Sequence, residues 1–102
     1  MHNWDELYAT YLDKKGEPYL YEHQAFPLIL NNKQTTYTPD FFLLNKNLYI
    51  EIKGYWRGDA KEKFELFLKI YPEIKIELLM ENDLKKLGIN LKRRKDNETK
   101  CR

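Results

Sequence analysis

The stretch that decides the fold is Tyr37-Thr38-Pro39-Asp40-Phe41-Phe42-Leu43-Leu44-Asn45-Lys46-Asn47-Leu48-Tyr49-Ile50-Glu51-Ile52-Lys53-Gly54. Two strand-like runs flank the polar interruption Asn45-Lys46-Asn47, which reads as a hairpin turn. In the second run Leu48, Ile50 and Ile52 alternate with Tyr49, Glu51 and Lys53. A period of two puts the apolar set on one face and Glu51 with Lys53 on the other. Folding about Lys46 brings Asp40 opposite residue 52, give or take one, within reach of Glu51 and Lys53. Pro39 holds Thr38 extended and cannot donate to a ladder, which loosens the sheet beside Asp40. The apolar run from Phe41 to Leu44 suits a central strand buried on both faces.

Two carboxylates and one ammonium therefore converge at a sheet surface. Adjacent carboxylates repel, and one pKa rises unless a cation intervenes. A hard divalent ion such as Mg²⁺ relieves that conflict, since it binds through one or two carboxylates and keeps several waters. Such an ion neutralises charge on a phosphoryl oxygen and activates water, with Lys53 placed to orient that water. The plain alternative is a surface ion pair, worth roughly 0–1 kcal/mol.

The string Pro39-Asp40, ten residues, then Glu51-x-Lys53 resembles the PD-(D/E)XK nuclease signature. The fuller pattern "YTPDF…YIEIKG" is similar to the short phage Holliday-junction-resolving endonucleases. There, a helix with one acidic residue precedes a "yE" strand, the "YTPDF" and "ExKG" strands, a tryptophan and a basic helix. The resemblance runs in the same order from about Trp4 to Ile89. It implies a small restriction-endonuclease-like core, in keeping with the α/β fold that the elements themselves suggest, a central mixed sheet of about four strands flanked by helices. It also implies a Mg²⁺- or Mn²⁺-dependent deoxyribonuclease, with Asp40, Glu51, Lys53 and a helix-borne acid in catalysis. DNA, branched or junction DNA in particular, becomes the expected substrate, and a homodimer with exchanged segments the expected assembly. The alternatives are the catalytic core of a homing, nicking or transposase-associated endonuclease, or an inactive DNA-binding module.

Outward from this centre, residues 3–15 read as an amphipathic helix, with Trp4, Leu7, Tyr8, Tyr11 and Leu12 on one face. Asn3 is the expected N-cap, with Glu6 three residues on, and Gly16 the stop. Asp5 sits at the margin of the apolar face, and Glu6 about 100° further round towards solvent. Asp5 is thus the better helix-borne metal ligand, and it matches the glutamate of the resembling family, one methylene shorter; a register shift would make Glu6 the ligand and leave Asp5 a helix N-terminal charge. Residues 18–30 read as one or two strands broken near Pro27. In them Glu22 matches the "yE" acid and is a candidate for the metal shell, while His23 faces away. Asn31-Asn32 signals a turn before the central hairpin.

Beyond Lys53, Trp56 and Arg57 are placed to contact substrate, Trp56 alternatively capping the core. Residues 59–71 form a second helix capped by Asp59, with Ala60, Phe64, Phe67, Leu68 and Tyr71 as its buried stripe. Lys61 and Lys63 near its start match the basic residues that touch DNA in the resembling enzymes. Pro72 ends it, and residues 74–80 make a strand parallel to the third. Residues 81–87 form a short helix ending at Gly88.

Composition frames these readings. The 102 residues suit one small domain, residues 1–90, followed by a basic tail at 91–102 expected to be disordered. Residues 1–90 carry 12 Lys and Arg against 14 Asp and Glu; the tail carries six against two. The cations, Arg93 and Arg94 among them, are therefore concentrated where they can meet phosphates. A single cysteine, Cys101, excludes an internal disulfide and suits a reducing compartment. No spanning-length apolar run or signal-peptide pattern is visible, so a cytoplasmic protein is expected; the resemblance implies a phage or bacterial origin.

Overall fold

A computed structural model describes residues 3–89 of the chain, in the order α1 (Asn3–Lys15), β1 (Tyr19–Tyr21), β2 (Phe26–Leu30), β3 (Lys33–Tyr37), β4 (Phe41–Leu43), β5 (Leu48–Lys53), α2 (Ala60–Ile70), β6 (Ile76–Met80) and α3 (Glu81–Lys86). The tail at 91–102, with Arg93, Arg94 and Cys101, lies outside the described residues.

The central sheet has the order β1-β4-β5-β6. β4 and β5 form the expected antiparallel hairpin, with Phe41 opposite Ile50 and Leu43 opposite Leu48. Extending that register by one pair sets Asp40 opposite Glu51, inside the predicted range. The four-residue loop Leu44–Asn47 closes with Lys46 N–H on the Leu43 carbonyl and Asn47 at φ 51°. Asparagine suits that position because its short polar side chain tolerates left-handed backbone. β6 joins β5 in parallel, Glu51 beside Leu78, as the α2 crossover requires.

Both faces of the sheet are covered, which explains its mixture of apolar runs and alternation. On one side α1 and α3 pack Tyr8, Leu12 and Leu84 against Phe41, Leu43, Ile50 and Ile52. On the other, Phe64 and Phe67 of α2 join Phe26, Leu28 and Tyr37, with Tyr49 and Leu78 at the margin. Phe67 is wholly buried, worth about 1.5–3 kcal/mol of apolar transfer. Its ring lies 5.0 Å from Phe26 and 4.8 Å from Tyr37.

Several local expectations are corrected. The break in residues 18–30 falls at 22–25, where Glu22 takes φ 46°, and not at Pro27. Pro27 lies inside β2, paired with Thr36 in a separate two-stranded sheet of β2 and β3. The Asn31-Asn32 turn, at φ 53° and 66°, explains why proline is tolerated. A two-residue loop makes Leu30–Lys33 a hydrogen-bonded pair, so alternation leaves Pro27 at a position whose N–H faces away from β3. Asp59 precedes α2 but makes no side-chain cap bond. Leu68 and Leu44 are exposed, Leu44 lying in the loop after β4. Tyr71 follows α2 as its C-cap, and α1 already includes Asn3, the residue expected to cap it. Gly16 ends α1 as expected, at φ 70°, with its N–H on the Asp13 carbonyl and that of Glu17 on Leu12.

Candidate active site

Asp40 occupies the gap between β3 and β4, directly after the buried Pro39. Its backbone carbonyl accepts the Glu22 N–H at 2.8 Å, and its Oδ2 accepts the Ile52 N–H at 2.8 Å. The side chain thus substitutes for a main-chain acceptor where the β4–β5 ladder would otherwise continue. That swap fixes the carboxylate beside β5 and leaves it half-buried.

Glu51 is buried on the α2 side of β5. Its Oε1 accepts the Tyr37 hydroxyl, and its Oε2 lies 3.3 Å from Lys53 Nζ. Lys53 shares the face of Glu51, two residues on, and its ammonium stands 5.7 Å from the Trp56 ring centroid. Asp5 enters from α1, also buried, with its Oδ2 taking the Tyr21 hydroxyl at 2.6 Å. Glu6, its neighbour, is exposed. The wheel reading of α1 is therefore correct about which acid turns inward.

Electrostatics ties these acids together. Burial and the neighbouring Glu51 push the Asp40 carboxyl up from 3.8 to about 8, although the Ile52 amide and Lys53 pull it down. Burial likewise raises Glu51, against the lowering effects of Tyr37 and Lys53, and Asp5 adds to the repulsion on both carboxyls. Burial and the carboxylate partners hold the Tyr21 and Tyr37 phenols well above the usual range, so both remain protonated donors.

A cleft of about 600 Å³ opens here, lined by Trp4, Asp5, Glu22, Asp40, Lys53 and Arg57 among others. Asp40 and Lys53 also border a second hollow of about 320 Å³, which holds Glu51, Tyr37 and Lys63. Asp40 is thus approached from both hollows, and Glu51 from the second alone. Glu22 is exposed at the cleft wall. Arg57 is exposed beside it and gives its guanidinium to the Tyr55 hydroxyl, 2.9 Å from Nε.

The remaining candidates fall less centrally. Trp56 is half-buried with its ring 5.6 Å from Phe64, the capping alternative. Lys61 is exposed and borders neither hollow. His23 is exposed, facing Phe42 and Tyr49 rather than the cleft. Sequence reasoning missed Tyr21 and Tyr37 as partners of the acids. The only signal was adjacency, Tyr21 next to Glu22 and Tyr37 three residues before Asp40. Gly54, read as a close approach, does meet a neighbour: a Cβ there would stand 3.2 Å from Trp4 Nε1.

A mixed sheet carrying Asp40, Glu51 and Lys53 at one parting of its strands, with an acid brought in by the first helix, defines the class. The chain belongs to the phage endonuclease I family, whose profile matches residues 3–95. It is 34% identical over 83 residues to Endonuclease I of Escherichia phage T7, covering 81% of this chain and 55% of that protein. To Endodeoxyribonuclease 1 of Enterobacteria phage T3 it is 36% identical over 83 residues, covering 81% and 54%. The chain spans about half the length of the curated relatives it matches.

Proposed function

We propose that this protein is a divalent-metal-dependent DNA endonuclease of the PD-(D/E)XK type, selective for branched DNA such as four-way junctions. The observation that carries the reading is the facing pair Asp40 and Glu51, with Lys53 Nζ 3.3 Å from Glu51. Family membership and the names of the phage relatives support DNA as the substrate.

The donor set fits Mg²⁺ or Mn²⁺. Asp5, Asp40, Glu51 and Lys53 carry a net charge of −2 when ionised, the complement of one dication. Burial raises both Asp40 and Glu51, with repulsion from Glu51 and Asp5 added on Asp40 and from Asp5 on Glu51, and a cation at the site offsets that cost. Among the described residues no three His, Cys, Asp or Glu side chains gather closely enough to enclose an ion. Two carboxylates with water completing the shell is a magnesium-like arrangement. Asp40 and Glu51 are the direct ligands in this reading, and Asp5 and Glu22 support the shell through water. The ion supplies charge neutralisation at the phosphoryl group and a more acidic water.

The residues of the chain do the rest. Asp40, fixed by the Ile52 amide, and Glu51, fixed by Tyr37, set the position of the reacting phosphate. Lys53 orients the attacking water or steadies charge on the phosphate. Arg57 and Lys63, on the rims of the two hollows, take flanking phosphates, since guanidinium and ammonium groups favour those oxygens. In-line attack breaks the P–O3′ bond and leaves a 5′-phosphate. A homodimer, with segments exchanged between protomers, presents two sites to the two strands of a junction. Its place of action is the cytoplasm, whether the chain is phage-encoded or bacterial.

The deciding experiment is a cleavage panel of four-way junction, mismatched duplex, plain duplex and single strand, each with Mg²⁺, Mn²⁺ or EDTA. Metal-dependent paired cuts confined to the junction are expected. Equal cutting of plain duplex overturns the branched selectivity, and cutting in EDTA overturns the metal.

A further inference from the structure

Each of the three acids at the site accepts, through one oxygen, a hydrogen bond from a donor that carries no charge. Tyr37 hydroxyl donates to Glu51 Oε1, Tyr21 hydroxyl to Asp5 Oδ2, and the Ile52 amide to Asp40 Oδ2. The two phenols come from opposite sides of the sheet. Tyr37 sits among Phe64 and Phe67 in the core under α2. Tyr21 reaches Asp5 from β1, with its ring 5.2 Å from Phe41 in the core under α1.

We propose that Tyr37 and Tyr21 are positioning residues of the active site, Tyr37 fixing Glu51 in the orientation that receives a divalent cation and Tyr21 fixing Asp5 in the orientation that supports the shell through water. The proposal rests on the metal-dependent reading above and adds to it the groups that preorganise the acids. The physical reason lies in the type of donor. An arginine or lysine in the same place would orient the carboxylate but cancel its charge, weakening its hold on a dication. A phenol orients the carboxylate while leaving the negative charge in place. Packing against Phe64, Phe67 and Phe41 restricts the tyrosine rings, so the hydroxyls are held before any ion arrives. Lys53 does carry charge, and it bonds Glu51 through the other oxygen, Oε2.

The test is Mn²⁺ binding to the full chain without DNA, followed by electron paramagnetic resonance of free Mn²⁺. Far-ultraviolet circular dichroism on each variant confirms folding. Tyr37→Phe and Tyr21→Phe remove one oxygen each and keep the rings. Both should weaken binding about 10- to 100-fold, the usual effect of losing a group that orients a metal ligand. Tyr71→Phe is the control, because its hydroxyl bonds the Pro27 carbonyl away from the acids. It should bind as the unaltered protein does. Unchanged affinity in both site variants overturns the proposal, as does an equal loss in Tyr71→Phe. If Tyr37→Phe does not fold, Tyr21→Phe decides by the same criterion. An unaltered protein that takes up no Mn²⁺ refutes the metal-dependent reading itself, a different outcome from binding that the variants leave untouched.

Discussion

At Asp40 three demands fall on one side chain: it replaces a main-chain acceptor for Ile52, faces Glu51, and lines both hollows. Its raised pKa gives a pH signature. Between about pH 4 and 8 the folded protein holds a proton on Asp40 that the unfolded chain has released. Stability from this group therefore falls as pH rises through that window and levels off above it. Thermal melts in EDTA should show Asp40→Asn gaining on the unaltered protein from pH 5 to 8; parallel curves refute the assignment. Lys53→Ala should lower cleavage at least ~100-fold while leaving DNA binding in EDTA intact, as gel shift would show. Asp5→Asn should cost about tenfold or more, and Glu6→Gln nothing, because only Asp5 is turned inward. The acids and the lysine are legible from the hairpin register and a period of two. Their tyrosine partners are not, since a hydroxyl 14 or 16 residues away finds its acceptor only once helices and sheet have packed.

At the scale of elements, strong periodicity locates α1, β5 and α2, and turn chemistry locates the β4–β5 hairpin and the turn at Asn31-Asn32, but not β3 or its pairing with β2. The failures have physical causes. Glu22 enters the left-handed region at the end of β1 while its N–H pairs with Asp40. A glutamate there carries no local signal of the kind asparagine gives, so sequence alone points to the nearest proline as the break. Leu68 reads as part of the buried stripe because it stands four residues after Phe64, but the face under β2 and β3 is filled by Phe64 and Phe67. Truncating each side chain separates the two positions. Phe67→Ala should destabilise the fold by about 3–5 kcal/mol, measured by urea unfolding, and should impair the site through Tyr37. Leu68→Ala should cost little, and comparable losses would contradict the packing.

For the whole molecule, the charge is partitioned: the acids gather in residues 1–90 and the excess cations in 91–102. Removal of residues 91–102 should weaken DNA binding and flatten its dependence on salt, by about 0.9 in log–log slope for each phosphate that the tail neutralises. An unchanged slope would show that the tail leaves phosphates alone. No described helix is long and apolar enough to cross a membrane; the buried apolar side chains of α1 and α2 pack on the two faces of the sheet.

The order of the site along the chain has a consequence for synthesis. Asp5, Tyr21, Tyr37, Asp40, Glu51 and Lys53 all precede residue 54, whereas Phe64, Phe67 and Leu78, which close the core on the Glu51 side, follow it. The β4–β5 hairpin can set Asp40 opposite Glu51 in a growing chain, but the Glu51 side stays open to water until Phe64, Phe67 and Leu78 have emerged. The emerging polypeptide thus carries all six side chains while lacking the enclosure that dries them on the α2 side.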